Sequence, residues 1–420
     1  MLLYLQLSNP NRLIYLMQRF LLFILLVFTF CSCNSQQNKP AVVANLKKGF
    51  QFRTLTETEK ENYSNTIQPL YNKMLLQKGF NGAILLAKNG EIVFEDYHGY
   101  INLKTKEAIT AETPFHLASI SKTFTGMTIL KLMEQGRLDL NDSIQKYLPE
   151  FPYHGITIKH LLTHRSGLPN YLYFTDNVTV ETYKAKNKRG KLITKKRYIK
   201  KKSEITKMLT NQTLYEYLVA KKPPVQALPD RVYNYCNTNF AMLALIVESI
   251  VEQPFPQYMR DSVFVPLGMT HTFIFSIKDS ANYIPTYRGN SPWQMDKLDA
   301  VYGDKNVYST VRDLLAWDKA LYENKFVSVF TYNLAIQPYS YERRLGHYYG
   351  LGWHLFSNPP EPTIVYHNGK WHGSNTVFKR LVHDTATVII LGNKLNGNIY
   401  RAGQISSVFT GRSDTTQLIE

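Results

Sequence analysis

Phe115-His116-Leu117-Ala118-Ser119-Ile120-Ser121-Lys122-Thr123-Phe124 is the stretch on which the reading of this chain turns. From here apolar residues recur at Ile120, Phe124, Met127, Leu130 and Met133. These three- and four-residue steps predict a helix over 119–135, with Gly136 as its stop. Ser119 and Lys122 then share one face at the helix start, one turn apart. A serine hydroxyl is a weak nucleophile and needs a neighbour to take its proton. A lysine does this only where burial or nearby cations lower its affinity for that proton. The backbone N–H groups of a helix start add partial positive charge, which suits a developing oxyanion.

Ser-x-x-Lys alone carries little weight, because Ser143-Ile144-Gln145-Lys146 matches as well. Asn141 and Asp142 precede that copy, and capping of a short polar helix explains it. Tyr-x-Asn occurs at Tyr63, Tyr235 and Tyr322. The first precedes Ser119, and the third reads as part of an exposed amphipathic helix with Asp313, Asp318 and Lys319. Tyr235-Cys236-Asn237 follows Pro229-Asp230-Arg231 and stands just before a helix over 238–252 that is apolar nearly all round, a loop position suited to a site. A cation followed by x-Gly recurs at His367-Asn368-Gly369, at a strand end. Lys88-Asn89-Gly90 reads instead as a hairpin turn, and Lys188-Arg189-Gly190 as part of a basic run.

In that order, Ser119-x-x-Lys122, Tyr235-x-Asn237 and His367-x-Gly369 resemble the three motifs of serine β-lactamases and penicillin-binding DD-peptidases. The likeness is nearer to the class C β-lactamase-like branch, which includes esterases and D-amino-acid peptidases. Leu161-Leu162-Thr163-His164-Arg165-Ser166-Gly167-Leu168-Pro169, Pro266-Leu267-Gly268-Met269 and Tyr349-Gly350-Leu351-Gly352-Trp353 add to it, and it runs from about residue 60 to about 410. The resemblance implies a serine hydrolase acting through an acyl-Ser119 intermediate on an amide, an ester or a cell-wall D-peptide or β-lactam. Lys122 and Tyr235 share proton transfer, either being the base. Asn237 holds Lys122 and a substrate amide, and the N–H groups of Ser119 and Lys370 form the oxyanion hole. His367 and Gly369 line the substrate side. His367 replaces the lysine of strict β-lactamases; a histidine is largely neutral at pH 7, which sets β-lactam hydrolysis in question. The side chain of Lys370 is one candidate for the missing charge. The alternative is a catalytically weak protein that binds or senses penicillins or cell-wall peptides.

The rest of the chain fits one architecture. Residues 57–77 have helical spacing, Gly82–Leu86 and Ile92–Phe94 flank Asn89-Gly90 as strands, and strand-like runs occupy 349–356, 363–367, 376–381 and 387–391 before a helix over 398–409. Strands at both ends with helices between predict one sheet built from distant parts of the chain. The fold class is therefore α/β (α+β): an antiparallel sheet flanked by N- and C-terminal helices, with an inserted mostly helical subdomain at about 117–290. Its domain spans 56–412, with a basic insertion at about 172–207 and a tail at 413–420.

Residues 20–30 are an apolar run preceded by Arg12 and Arg19 and ending near Ser32-Cys33. Such a run is short for a membrane span and reads as a signal peptide over 1–32, with lipidation of Cys33 and a tether over 33–55. The other reading is an uncleaved anchor helix, and either Met1 or Met17 serves as the start. Export to a bacterial envelope, held to the bilayer by this anchor, is the expected location. Cleavage removes two arginines and takes the formal charge from +17 to +15. Residues 184–207 hold 12 basic residues against Glu204, a local excess of +11. Charge confined to one run, without a recognisable module, argues against nucleic acid and for a solvated mobile loop; contact with anionic lipid or cell-wall polymer is the other reading. Three cysteines in 420 residues exclude a disulfide framework and a Cys-based zinc site. The expected protein is a monomer that takes a small-molecule or peptide substrate and no cofactor or metal. Of the remaining polar residues, His164 reads as ordering a loop, His116 and Cys236 as packing, and Trp371 and His372 as either lining the cleft or packing.

Overall fold

The computed structural model describes residues 50–174, 178–187, 190–200, 205–278, 283–342 and 345–412. The leader over 1–32, Cys33, most of the tether and the tail over 413–420 lie outside the described residues. Among the described residues, no helix is long and apolar enough to cross a membrane.

Helix α1 (Glu57–Met74) opens on a capping box in which Thr56 and Glu59 satisfy each other's backbone N–H. Strands β1 (Gly82–Lys88) and β2 (Glu91–His98) follow, joined through Asn89 and Gly90 with φ of 51° and 70°. Two consecutive left-handed residues make the hairpin turn that the Asn-Gly pair predicts. After a 3₁₀ turn at Ala118–Ile120 comes α2 (Ser121–Glu134), buried through most of its length. Strands β3 (Val178–Lys186) and β4 (Leu192–Lys200) pair with each other. Helices α3 (Asn211–Lys221), α4 (Asn237–Val251) and α5 (Val311–Tyr322) complete the helical middle. The chain then runs through β5 (Ser340–Tyr341), β6 (His347–Tyr349), β7 (His354–Phe356), β8 (Ile364–Trp371), β9 (Ser374–Leu381) and β10 (Ala386–Gly392) to α6 (Asn398–Ala402) and short turns ending at Thr410.

The main sheet has eight strands in the order β5-β6-β7-β8-β9-β10-β1-β2, antiparallel throughout. Residue alternation sends its side chains into two cores. Ile84, Leu86, Val388 and Ile390 pack with Ile67 and Tyr71 of α1 and Ile399 and Ile405 of the C-terminal segment. Leu85, Phe378, Ile389 and Leu391 pack with Phe124, Met127, Phe240 and Trp317 of the helical middle. The sheet is thus sandwiched between terminal helices on one face and the helical middle on the other, as expected from the sequence.

Three expectations need correction. Residues 349–356 are not one strand: β6 and β7 pair antiparallel, Tyr349 opposite His354, around a turn at Gly350–Trp353. A Cβ on Gly350 would lie 2.2 Å from the carbonyl oxygen of Ala335, so the close approach requires glycine. The basic run, expected as a solvated mobile loop, forms the β3–β4 hairpin over its described residues up to Lys200, with Asn187 N–H donating to the Lys191 carbonyl; the many lysines hide its β-branched and aromatic residues. Helix α5 is not exposed, because Asp313, Asp318 and Tyr322 are all buried.

Candidate active site

Ser119 sits on the 3₁₀ turn ahead of α2, two residues before the helix proper. Ala118 before it adopts φ 50°, a left-handed conformation uncommon for a residue with a side chain. Ser119 is partly exposed while Ala118, Ile120, Ser121 and Lys122 are buried. The turn is pinned from two sides. Leu117 N–H donates to the carbonyl of Val307 at 2.8 Å, and the Thr376 hydroxyl donates to the carbonyl of Leu117 at 2.8 Å.

Lys122 has no solvent exposure. Its ammonium nitrogen lies 3.1 Å from Ser119 Oγ and 2.8 Å from the carbonyl oxygen of Asp304, and 5.0 Å from the centre of the Tyr235 ring. The first two motifs therefore meet: the lysine reaches the serine on its own face and passes over the tyrosine from another part of the chain. The segment carrying Asp304 is fixed along α2 by Thr125 Oγ1, which donates to the Gly303 carbonyl at 2.7 Å, and by Val307 N–H, which donates to Ser121 Oγ at 3.0 Å. Asp304 accepts from the Tyr171 hydroxyl at 2.7 Å. Lys305 hydrogen-bonds to that same hydroxyl and lies 4.8 Å from the Trp371 ring centre. Burial lowers the pKa of Lys305, against the opposing charge of Asp304.

Tyr235 ends the loop before α4, and Asn237 is the first residue of that helix, half-buried. The backbone here is held by His164, whose Nδ1 accepts from Cys236 N–H at 3.1 Å while its carbonyl accepts from Asn234 N–H at 2.9 Å. The imidazole also packs against Tyr235, ring centres 4.3 Å apart. Burial, then the charge of Lys122, holds His164 well below the usual histidine range, so it is a neutral acceptor. It orders a loop, as the sequence reading expects. Cys236 is buried, its thiol pushed up to about 11 by burial, and behaves as a small apolar residue.

The third motif lies on β8 beside the turn that carries Ser119. A Cβ on Gly369 would stand 2.3 Å from the Leu117 carbonyl oxygen and 2.3 Å from Thr376 Oγ1, so only glycine lets the strand approach this closely. Lys370 follows, exposed. His367 is fully buried. Its Nδ1–H donates to the Asn368 carbonyl at 2.7 Å, and Nε2 accepts from the Tyr349 hydroxyl at 3.2 Å. Burial, then the charges of His354 and Lys122, depresses its pKa well below the ordinary value. His367 is therefore neutral, with both nitrogens engaged inside the protein.

Two groupings were not legible in the sequence. His354 stacks on Tyr235 and approaches Glu342 with Nδ1 at 2.6 Å. Asp299 accepts from the Trp371 indole at 2.7 Å and lies 2.9 Å from His372 Nε2, so both aromatic residues after Lys370 are tied to one carboxylate. With Asp296 these form the one group of three among the described residues whose potential metal-ligand atoms all lie within 4.8 Å of each other; the hydrogen bonds of Asp299 already account for its carboxylate. His116, expected as packing, is buried with Nε2 3.1 Å from Asn306 Oδ1. The rival motif copies go elsewhere. Ser143 Oγ accepts from Gln145 N–H at 3.3 Å as a helix cap, and Lys146 pairs with Asp142 at 2.9 Å on the surface. Tyr322 is buried beside Arg380, 4.7 Å from its guanidinium carbon.

A family model described as Beta-lactamase matches residues 65–403. The chain is 30% identical over 353 residues to a penicillin-binding protein of Bacillus subtilis (strain 168), covering 80% of this chain and 73% of that protein. Among solved structures, the penicillin binding protein from Bacillus halodurans superposes with a TM-score of 0.65 at 21% identity, covering 82% of this chain and 98% of that one. The octameric penicillin-binding protein homologue from Pyrococcus abyssi superposes with a TM-score of 0.69 at 20% identity, covering 84% and 79%. At such identities these two structures speak for the fold.

Proposed function

The chain belongs to the beta-lactamase family, a family of serine acyl-transfer hydrolases, and from this premise we propose that Ser119 is its acylated nucleophile. The observation that carries the reading is the meeting of Ser119, Lys122 and Tyr235, three groups from two distant stretches, with the lysine 3.1 Å from the serine oxygen. Ser119 Oγ attacks the substrate carbonyl, and its proton passes into the Lys122–Tyr235 pair, either member being the base. The N–H groups of Ser119 and Lys370 receive the oxyanion; losing one such donor typically costs about 10²–10³ in rate. The proton then goes to the departing amine or alcohol as the carbon–heteroatom bond breaks. Water, giving up a proton along the same route, releases the acyl group and restores Ser119. Asn237 orients the substrate amide. All these groups come from one chain, so a monomer suffices for the chemistry.

The substrate is proposed to be an ester or amide, including D-peptides, rather than a β-lactam gripped by its carboxylate through the third motif. A neutral His367, buried and hydrogen-bonded internally, offers no cation for that grip. We also propose export and attachment to the envelope through a lipid on Cys33, on the sequence of residues 20–33. Retention of lipid label in a Cys33→Ala variant would count against that anchor.

The test of the site is peptide mapping after reaction with a fluorophosphonate and with a labelled penicillin. The expected adduct is on Ser119. An adduct on Ser143, or none with either probe, would overturn the assignment. A stable penicillin adduct with no turnover of any ester or D-amino-acid amide would instead favour a binding or sensing protein.

A further inference from the structure

The β3–β4 hairpin has no part in the chemistry above. Its strands are nine residues each, paired from Val178 opposite Lys200 to Lys186 opposite Leu192, and they form a two-stranded sheet of their own. At the usual rise per residue such a ribbon is roughly 30 Å long. A two-stranded ribbon on its own is marginal in water, so a surface to lie against would stabilise it.

Its chemistry states what that surface is. Between residues 178 and 203 the single acidic residue is Glu181, and it stands opposite Arg197. Lys184, Lys186, Lys191 and Lys195 are all exposed. Interleaved with them are Tyr183, Leu192 and Ile193, exposed by 47%, 55% and 36%. Tyr183 and Ile193 share one face of the ribbon with Lys195 and Arg197, and Leu192 shares the other with Lys184 and Lys186, so each face carries cations beside apolar side chains. A soluble polyanion would be met by the lysines alone and would leave the aliphatic groups in water. An anionic bilayer takes both, the ammonium groups at the phosphates and the apolar groups at the headgroup boundary. The charge is also local, since residues 184–207 supply +11 of the chain's formal +17.

We propose that this hairpin is a docking arm for the surface of an anionic lipid bilayer. Lysines and arginines near such a surface add to its attraction, so the arm should raise partition into anionic over neutral vesicles at least about tenfold at low salt. Added salt should erode that preference.

The experiment is sedimentation of the full chain with phosphatidylcholine vesicles and with vesicles containing phosphatidylglycerol, beside two variants. Lys184→Glu/Lys186→Glu/Lys195→Glu/Arg197→Glu should lose the preference for phosphatidylglycerol. Tyr183→Ser/Leu192→Ser/Ile193→Ser should weaken partition severalfold. Binding contributed by residues 1–49 is common to all three proteins, so the differences report on the hairpin. Turnover of a soluble ester should be the same in all three, showing that the fold is intact. Equal partition into both vesicle types, or a charge variant that keeps the preference, overturns the proposal. So does a serine variant with undiminished partition whose vesicle binding is competed away by soluble polyphosphate, which would make the hairpin a polyanion site.

Discussion

The imidazole of His354 lies parallel to the Tyr235 ring, centres 6.0 Å apart and planes 15° apart, while its Nδ1 reaches Glu342 at 2.6 Å. The same imidazole packs edge-on to His367 at 4.6 Å. Glu342 thus fixes a ring that forms one wall of the slot holding the Tyr235 phenol. Glu342→Ala is expected to lower kcat by between roughly tenfold and a hundredfold, with little change in KM, because small displacements of a proton-transfer group are costly. His354→Phe, which keeps a stacked ring, should retain more activity than His354→Ala. Steady-state kinetics on one ester would decide; equal losses in the two His354 variants would show that stacking is not what matters.

At Gly369, β8 lies directly against the turn that carries Ser119. In Gly369→Ala the new methyl would displace either the Leu117 carbonyl or Thr376 Oγ1, each 2.3 Å away. Overpacking of this kind costs about 1–3 kcal/mol. Ester turnover should fall more than a hundredfold, since the strand that moves carries the Lys370 N–H. Denaturant unfolding with active-site titration separates the two effects.

Three buried histidines make stability pH-dependent. Burial holds His116, His164 and His367 below the ordinary histidine pKa. In the unfolded chain they take up protons near pH ~6.5. Below that pH the unfolded state binds more protons than the folded one, so stability is full above about pH 7 and falls as the pH drops. The loss should be on the order of 1–2 kcal/mol per buried histidine by pH 5. Urea midpoints from pH 5 to 8 would show it, and His116→Asn should flatten the slope. For the same reason kcat/KM for a neutral ester should show no inflection near pH 6.5 that His367→Asn removes.

Arg380 and Asp318 form a fully buried pair, with the Tyr322 and Tyr332 rings 4.7 and 4.8 Å from the guanidinium carbon. Asp318→Ala strands a buried cation and should cost about 3–5 kcal/mol. Its kcat, per active site that titrates, should match the parent, because neither residue touches Ser119, Lys122 or Tyr235. A reduced kcat in fully titrated enzyme would show coupling to the site that the contacts do not explain.

Much of the site was legible because its chemistry is carried in short local strings. Ser119 and Lys122 are a helical turn apart, Gly369 must be glycine, and Asn89-Gly90 dictates its own turn. What escaped the sequence depends on pairs formed across the fold. Glu342 finds His354 over a strand turn, Asp299 finds Trp371 and His372 from more than seventy positions away, and Tyr171 binds Asp304 from 133 away. No periodicity announces such partners. The β3–β4 ribbon was missed for a different reason: lysines at alternate positions look like solvated coil when counted, and like a strand only when their opposite numbers are known. Tyr349–Phe356 read as one strand because its glycines, which break it in two, are demanded by other segments, Gly350 by Ala335 and Gly352 by Lys122 and Gly126.

The sheet order has a consequence for timing. Strand β1 is hydrogen-bonded on one side to β10, Gly82 opposite Gly392, and the turn that carries Ser119 leans on β8 and on Thr376. As the chain emerges in order of synthesis, Ser119 and Lys122 come early, while β8, β9 and β10 come after residue 363. A nascent or truncated chain that stops short of β10 carries a serine and a lysine with nothing to hold the carbonyl between them. If Ser119 acts as proposed, a chain that lacks β8 to β10 should therefore leave acyl compounds untouched, and activity should appear only with the closing strand.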